Sequence, residues 1–264
     1  MPVSTNHIDF GYPWWLSYGH LPIVACAILL LLVGVARRWS VWPMLLLCLF
    51  ALWSSTAFLI QRFVFNINAV PELPTQSFLR SGEGRVLDMG AGTGRSSIMV
   101  LASRPHATLV AVDLFAKSFE QHFGPSANPQ QRLLANLKAA GVDQRASIET
   151  ADVRKLPFEP AAFDAIVSAY TIDHLNRQGV DQSLAEAARV MKPGGDFLLM
   201  VIANDKWAKF AFGPLMAHGG TRDVAWWTAH VQKAGFQVLE QGTRPVTLYL
   251  LSRRSSSIVL LKRE

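Results

Sequence analysis

A glycine-rich segment is the part of this 264-residue chain whose residue types and spacing point most directly to chemistry. Asp88 lies near the end of the run V-L-D-M (residues 86–89), and Gly90, Gly92 and Gly94 follow at alternate positions. Glycines in such a loop let the backbone approach a bound ligand closely. A dinucleotide-binding loop would place its last glycine at position 95, where this chain has Arg95. The spacing therefore disfavours a nicotinamide cofactor.

This loop, with Asp88 at the end of the preceding run, resembles motif I of the class I S-adenosylmethionine (SAM)-dependent methyltransferases. The resemblance implies that SAM is the cofactor, with the loop backbone along its methionine moiety and the Asp88 carboxylate near its ammonium group. It extends over roughly residues 84–253. Within the class, it is closest to the small-molecule branch that includes the ubiquinone and menaquinone biosynthesis methyltransferases.

Two further acidic positions follow in the order that this family has them. Asp113 ends the run V-A-V-D, and the resemblance implies that its carboxylate accepts both ribose hydroxyls while Leu114 and Phe115 flank the adenine. Asp152 with Val153 resembles the next motif, in which the acid accepts the adenine amino group and the backbone binds the ring edge. A solvated Asp113 at a strand end and a turn-capping Asp152 are the alternatives without a ligand.

The predicted fourth strand and the residues after it provide the acceptor side of the site. Ser168 ends this strand and is assigned to the cofactor site, and Tyr170, Asp173 and His174 follow at the edge where open α/β sheets bind ligands. His174 is the preferred general base because its reference pKa of about 6.5 lies near working pH. Alternatively it only bonds across a helix start, and Asp173 either orients it or caps that helix. His218, in a glycine-containing insert expected to form a lid, is the second candidate.

Apolar runs alternate with helical patterns from the glycine loop onward, which is typical of a parallel sheet. We predict strands over 85–89, 108–113, 146–150, 163–168, 196–202, 237–241 and 247–253, the last two forming a hairpin. We predict helices from residue 93 and around 131–140, 182–190 and 225–234. The segment R-V-M-K-P-G-G matches the family's turn before the fifth strand. The prediction is an α/β, Rossmann-like class I methyltransferase fold: a mostly parallel seven-stranded sheet with helices on both faces, preceded by two apolar membrane helices.

The N-terminal quarter of the chain is the source of its apolar composition, with 50% hydrophobic residues and a mean hydropathy of +0.22 overall. Residues 21–36 and 39–60 contain no charged side chain, and Arg37 and Arg38 separate them. At about 1.5 Å per residue they span roughly 24 and 33 Å, so the second can cross a core of about 30 Å and the first only marginally. A cleaved signal peptide and a buried helical pair are the alternatives.

These runs predict a membrane-associated hairpin over residues 1–62, a linker over 63–80 and a methyltransferase domain over 81–264. Because SAM is made in the cytosol, we expect the domain to face the cytosol from the cytoplasmic or inner membrane. The positive-inside rule opposes two full crossings, since residues 1–36 carry no Lys or Arg. A hairpin that enters one leaflet and returns, or an interfacial first helix, would resolve the conflict. Homo-oligomers through the hairpin stay open.

Several classes of protein are disfavoured by composition. The net charge is +6, but the basic residues are scattered, so we expect no nucleic-acid partner. The residues after the fourth strand also differ from the N-P-P-Y-type loop of enzymes that methylate DNA adenine. Cys26 and Cys48 lie in apolar runs and the histidines lack ligand spacing, so we expect neither a disulfide nor a metal site.

Methyl transfer from a sulfonium needs an in-line nucleophile and a site that excludes water. A membrane tether raises the encounter rate with acceptors dissolved in the bilayer, which favours a lipid, quinone or isoprenoid acceptor. One alternative enzyme detoxifies a small membrane-permeant thiol, halide or metalloid. An alternative of another class is a non-catalytic SAM-fold scaffold or regulatory subunit, against which the intact loop, Asp113 and Asp152 argue.

Overall fold

The computed structural model describes residues 8–116, 119, 123, 128–212, 222–244 and 246–255. Its strands are β1 (Glu83–Met89), β2 (His106–Asp113), β3 (Ala146–Thr150), β4 (Phe163–Ala169), β5 (Met191–Ile202), β6 (Phe236–Arg244) and β7 (Thr247–Arg254). They form one sheet in the order β3-β2-β1-β4-β5-β7-β6. The first five strands run parallel, and β7 is antiparallel to β5 and β6. The predicted seven-stranded, mostly parallel sheet and its closing hairpin are confirmed.

The described helices are α1 (Trp14–Tyr18), α2 (His20–Ala36), α3 (Val41–Leu59), α4 (Arg95–Ser103), α5 (Pro129–Ala139), α6 (Arg177–Val190), α7 (Lys206–Phe212) and α8 (Val224–Lys233). Helices α4 and α5 cover one face of the sheet, and α6 and α8 cover the other. Both faces need this cover because successive side chains of a strand point to opposite faces. Val86 and Leu87 of β1 are an example, since both are fully buried.

Two elements, α6 and β5, begin about five residues earlier than their patterns predict. Helix α6 starts at Arg177, because the Asn176 side chain accepts a hydrogen bond from Gly179 N and caps it. Strand β5 starts at Met191, directly after α6, although residues 192–195 were predicted to form a turn. These residues form an irregularity inside the strand, where pairing with β4 shifts register.

The N-terminal hairpin consists of α2 and α3, which pack on each other and are joined by a hydrogen bond of 2.9 Å between His20 Nδ1 and Ser54 Oγ. A π-helical turn, Ile60–Val64, extends α3. The combined segment Val41–Val64 has 24 residues, a mean hydropathy of 2.0 and is 17% buried, and among the described residues it alone is long and apolar enough to cross a membrane. Helix α2 has only 17 residues, about 26 Å. Two spanning helices are therefore not supported, and the membrane hairpin stays a prediction.

Packing is continuous across the boundary that we predicted near residue 80. Phe10, Leu73 and Phe78 are at most 4% exposed and belong to the core cluster beneath α4 and α5. The division of the chain into hairpin, linker and domain stays a prediction, and part of the core comes from residues that precede the predicted domain.

Candidate active site at the carboxyl edge of the sheet

The glycine loop lies between the end of β1 and the start of α4. Gly90, Gly92 and Gly94 have φ values of 82°, 54° and 94°, in the left-handed region that favours glycine. A Cβ atom at Gly90 would lie 2.0 Å from Cγ2 of Thr171, which follows β4. The loop can therefore take its path between β1 and the segment after β4 only with glycine at this position.

Asp113 lies beside this loop, as predicted. Its carboxylate accepts hydrogen bonds from Gly92 N at 2.9 Å and from Phe115 N at 3.1 Å. The residue is only half-buried at the end of β2, so lone pairs stay accessible from the cleft. This placement fits a carboxylate that accepts ribose hydroxyls. Leu114, which we expect to flank the adenine, is exposed.

A row of aromatic rings crosses the loop from Phe115. The ring centroids of Phe115 and Phe119 are 5.8 Å apart, those of Phe119 and Phe123 are 4.7 Å apart, and Tyr12 lies 5.1 Å from Phe123. A Cβ atom at Gly92 would lie 2.9 Å from the Phe123 ring, so the row lies directly against the loop. Sequence reasoning missed all but Phe115, although the four-residue spacing of these phenylalanines was a visible signal.

Residues 8–13, which we call the N-terminal strap, also cover the loop. The Thr93 hydroxyl donates to Phe10 O at 3.0 Å. The Asn136 side chain donates to Thr93 O and to Asp9 O, each at 2.9 Å, and accepts from Asp9 N at 3.0 Å. The strap, the loop and α5 are therefore held together by one buried amide.

Asp88 faces the start of α4 and is completely buried. Its carboxylate accepts hydrogen bonds from the hydroxyls of Ser96, at 2.8 Å, and Ser97, at 2.5 Å. Burial raises the pKa of this carboxyl to about 6, although the two serine bonds act in the opposite direction. In this structure Asp88 anchors the helix behind the loop, and its contact with the cofactor ammonium stays a prediction.

The segment after β4 is tied to the glycine loop and to β7. The Ser168 hydroxyl is buried and donates to Met89 O at 3.0 Å, so it joins two strands, and its assignment to the cofactor site stays a prediction. Thr171 donates to Gly90 O at 2.9 Å. The Tyr170 hydroxyl lies 2.6 Å from that of Thr247, and burial raises the pKa of Tyr170. Tyr170 thus lies at the predicted acceptor edge.

Asp173 and His174 differ in their environments. Oδ2 of Asp173 accepts from Ile202 N at 3.3 Å, whereas its buried Oδ1 has no partner among the described residues. Burial raises the pKa of Asp173, and the neighbouring side chains of His174 and Arg222 act in the opposite direction. His174 is exposed, so its role as a general base stays a prediction. His218 lies outside the described residues.

Asp152 caps a turn, which was the alternative to its adenine role. It accepts from the Arg154 side chain at 2.6 to 3.1 Å and from Arg154 N at 2.9 Å, and this guanidinium lowers the pKa of the carboxyl. Val153 beside it is buried. The adenine role of both residues stays a prediction. In the described part of the chain, no group of three or more His, Cys, Asp or Glu could hold a metal ion.

Comparisons with known proteins agree with this geometry. Residues 86–195 match a family described as a methyltransferase domain. The ubiquinone/menaquinone biosynthesis C-methyltransferase UbiE of Bartonella tribocorum is 34% identical over 121 residues, 46% of this chain and 42% of that protein. The demethylmenaquinone methyltransferase of Deinococcus radiodurans is 32% identical over 116 residues, 44% of this chain and 42% of that protein. An O-methyltransferase family protein from Burkholderia thailandensis, at 18% identity, has a TM-score of 0.55 over 78% of this chain and 59% of that chain.

The chain spans about half of the length of the curated relatives that it matches. The solved structure shows the fold alone at this identity. The fold and the site nevertheless define a class, because the domain match, the glycine loop and the half-buried Asp113 occur together. They support a class I SAM-dependent methyltransferase, and the same residues fit S-adenosyl-L-methionine as its cofactor.

Proposed function

We propose that this chain is a membrane-associated methyltransferase that transfers the methyl group of SAM to a small lipophilic acceptor. The observation that carries the proposal is the contact between the apolar helix and the acceptor edge. Phe65 directly follows the π-helical end of α3, and its ring lies 6.1 Å from the ring of Tyr170. The most apolar surface of the chain thus leads onto the segment that follows β4.

The hairpin presents this apolar surface outward. Its most exposed large side chains, each more than 60% exposed, are Leu29, Leu32, Val35, Val41, Trp42, Leu46 and Leu52. A surface of this size is unfavourable in water, and a bilayer would cover it. The names of two relatives refer to quinone biosynthesis, which is consistent with an acceptor that resides in a bilayer.

Polar side chains near this same end of the hairpin join it to α7. His20 Nε2 lies 3.0 Å from Ala211 O, the Gln61 side chain donates to the same oxygen at 2.7 Å, and Trp53 Nε1 donates to Phe210 O at 3.1 Å. These oxygens belong to the last carbonyls of α7, which have no partners within the helix. The hairpin therefore caps the helix that leads into the insert expected to form a lid.

The site performs the reaction chiefly by positioning. Bound SAM supplies an electrophilic methyl group. Asp113 and the glycine loop orient the cofactor, while the strap and the aromatic row exclude water. An acceptor near Tyr170 would have Asp173 and His174 available at the same edge to hold or remove a proton.

The test uses the full chain in lipid nanodiscs. Calorimetry measures binding of S-adenosylhomocysteine, and transfer of a radiolabelled methyl group is measured on membrane lipid extract and on an aqueous metabolite extract. We expect micromolar binding and label in the lipid fraction, both lowered by Asp113→Ala. Binding without transfer to either extract would favour the scaffold alternative, and label only in aqueous thiols would favour the detoxifying enzyme. An absence of binding would refute the proposal.

The role of His174 has its own test. His174→Ala should lower turnover about 100-fold and leave S-adenosylhomocysteine affinity unchanged if the imidazole is the base. The expected readout is loss of the acidic limb of the pH-rate profile together with the fall in turnover. Unchanged turnover would make this exposed histidine structural.

A further inference from the structure

Arg95 is a buried cation at the cofactor loop that sequence reasoning did not assign to the site. It is the first residue of α4, directly after Gly94, and is 9% exposed. Its Nε donates to Ala69 O at 2.9 Å and its Nη2 to Asn66 O at 3.3 Å. Both acceptors are neutral carbonyls of the segment that follows α3.

No formal negative charge balances this guanidinium among the described residues. None of their carboxylates lies within 4.0 Å of it. Tyr12 and Tyr170 are its phenolic neighbours, and burial raises the pKa of each above the ordinary 10, so both are neutral at working pH. The N-terminal end of α4 adds a partial positive charge of the same sign. A ligand that supplied an anion here would remove an electrostatic penalty.

Arg104, at the other end of α4, shows what a purely structural arginine looks like in this helix. It is 7% exposed and its guanidinium donates to Phe78 O, Gln76 O and Ser103 O at 2.7 to 2.9 Å. The C-terminal end of a helix carries a partial negative charge, which favours a cation there. An arginine is thus favoured by the helix charge at the C-terminal end of α4, where Arg104 lies. At the N-terminal end, beside the glycine loop, the positive charge of Arg95 is not compensated in this way.

The position of Arg95 relative to Asp113 indicates which part of a bound SAM would reach it. In the sheet, β2 lies on one side of β1 and β4 lies on the other. Asp113 ends β2, whereas the Arg95 guanidinium lies 5.9 Å from the ring centroid of Tyr170, just after β4. If the nucleoside lies at Asp113, the amino-acid end of the cofactor lies on the side of Arg95.

We propose that Arg95 binds the carboxylate of the methionine moiety of the cofactor. This inference rests on the proposed SAM site. The guanidinium has the carbonyls of Ala69 and Asn66 and the hydroxyl of Tyr170 as its described partners, and it can present Nη1 and Nη2 to a carboxylate in a paired geometry. Arg95 would then hold the end of the cofactor opposite Asp113 and at the same time fix the segment that connects the hairpin to the domain.

The test compares two ligands that differ only in the carboxylate. Calorimetry on the full chain in nanodiscs measures binding of S-adenosylhomocysteine and of its decarboxylated analogue, which keeps the amine. We expect the wild-type protein to bind the analogue about 10- to 100-fold more weakly. In Arg95→Gln, we expect both ligands to bind with affinities within about threefold of each other. Arg95→Lys keeps the charge without the planar fork, and it should retain part of the discrimination.

Arg104→Gln is the matched control, since it removes a guanidinium of similar burial from the same helix. We expect it to lower the melting temperature while keeping the wild-type discrimination between the two ligands. Equal affinity of the wild-type protein for both ligands, or full discrimination in Arg95→Gln, would overturn the assignment. If Arg95→Gln does not fold, the wild-type ligand pair and Arg95→Lys decide. Failure of S-adenosylhomocysteine to bind the wild-type protein would instead refute the proposed function.

Discussion

The charged side chains at the two edges of the sheet differ in their bonding partners. At the amino edge, the Asp164 carboxylate accepts from Lys192 Nζ at 2.7 Å and from Arg85 N at 2.9 Å. Asp196 at the same edge pairs with Arg253 at 2.8 Å. Each of these acids is satisfied by a neighbouring strand, so the charges of this edge stabilise the fold.

At the carboxyl edge, three charged groups have no such ion pair or cross-strand bond to a side chain among the described residues. Asp113 accepts only from backbone N–H groups, Oδ1 of Asp173 is buried without a partner, and Arg95 has no carboxylate. The Asp152–Arg154 ion pair, by contrast, lies at the exposed rim of this edge. A buried charge without a counter-charge costs stability, so we expect a ligand to complete this edge.

The largest effect should come from glycine substitutions at the two ends of β1. Gly90→Ala places a Cβ atom 2.0 Å from Thr171 at a φ of 82°. We expect a loss of about 3 kcal/mol in the free energy of unfolding and at least about 100-fold in S-adenosylhomocysteine affinity. Denaturant unfolding and calorimetry measure these quantities.

Gly82→Ala is its control at the amino edge. It has nearly the same φ, 81°, but nothing lies within 4 Å of the added Cβ. Backbone strain alone should cost about 1–2 kcal/mol with unchanged ligand affinity. Equal ligand losses in the two variants would contradict the assignment of the carboxyl edge as the cofactor site.

The second effect is a difference in pH dependence between Asp88 and Asp164. Burial raises the folded-state pKa of Asp88 to about 6, above its unfolded value near 3.9. The folded state therefore holds this proton more tightly between pH 4 and 6, and stability falls as pH rises through that window by at most about 3 kcal/mol. Asp88→Asn should flatten this part of the profile, as measured by urea unfolding at several pH values.

Asp164 should show the opposite sign. Burial opposes its ionisation, but the bonds from Arg85 N and Lys192 prevail and lower its pKa. Its contribution is present above the unfolded value and is lost as pH falls through the lower folded value. Asp164→Asn should therefore weaken the acid-induced loss of stability. The same sign of change in both variants would show that the edges do not differ in this way.

A third effect concerns the two acids as ligand contacts. Asp113→Asn keeps an acceptor for Gly92 N but removes the charge that we expect to face the ribose. We therefore expect about 30-fold weaker S-adenosylhomocysteine binding with the fold intact. Asp164→Asn should leave that affinity unchanged. Calorimetry on both variants is decisive, because undiminished binding by Asp113→Asn would remove the ribose assignment.

The smallest expected effect is a difference in the sign of the change in unfolding free energy between Asp196→Asn and Asp173→Asn. Asp196→Asn breaks the pair with Arg253 and should lower the free energy of unfolding by about 1 kcal/mol at pH 7. Asp173→Asn removes a carboxylate whose pKa burial raises, so it should be neutral or stabilise by about 1 kcal/mol. Urea unfolding measures both, and a clear loss in Asp173→Asn would show that this acid is structurally satisfied.

Local sequence patterns were sufficient for the sheet and for the position of the loop. Apolar runs and glycines report on residues that are neighbours in the chain, so β1 to β7 and Asp113 were placed near their observed positions. The sequence patterns also placed Asp88 and Ser168 near strand ends, but they did not predict the direction in which the two side chains point. Their oxygens are taken by local partners that a periodicity does not reveal.

The parts that sequence reasoning missed depend on distant residues. Phe10 and Thr93 are 83 positions apart, and neither belongs to a motif that would indicate their contact. Arg95 was noted only as the residue that breaks a dinucleotide spacing, because the absence of a counter-ion is a property of its surroundings and not of its neighbours in the chain. The positions of the N-terminal strap and of the Arg95 guanidinium at the site therefore depend on tertiary packing.

The capping of α7 by the hairpin has a consequence for geometry in the bilayer. His20, Trp53 and Gln61 join the hairpin to two carbonyl oxygens of α7, and these three hydrogen bonds restrict the rotation of the domain relative to the hairpin. With the hairpin embedded in lipid, the domain would keep rotation about the membrane normal and lose rotation about the other two axes. An acceptor diffusing in two dimensions would then meet the site at a constant angle, and fewer encounters would be lost to wrong orientation.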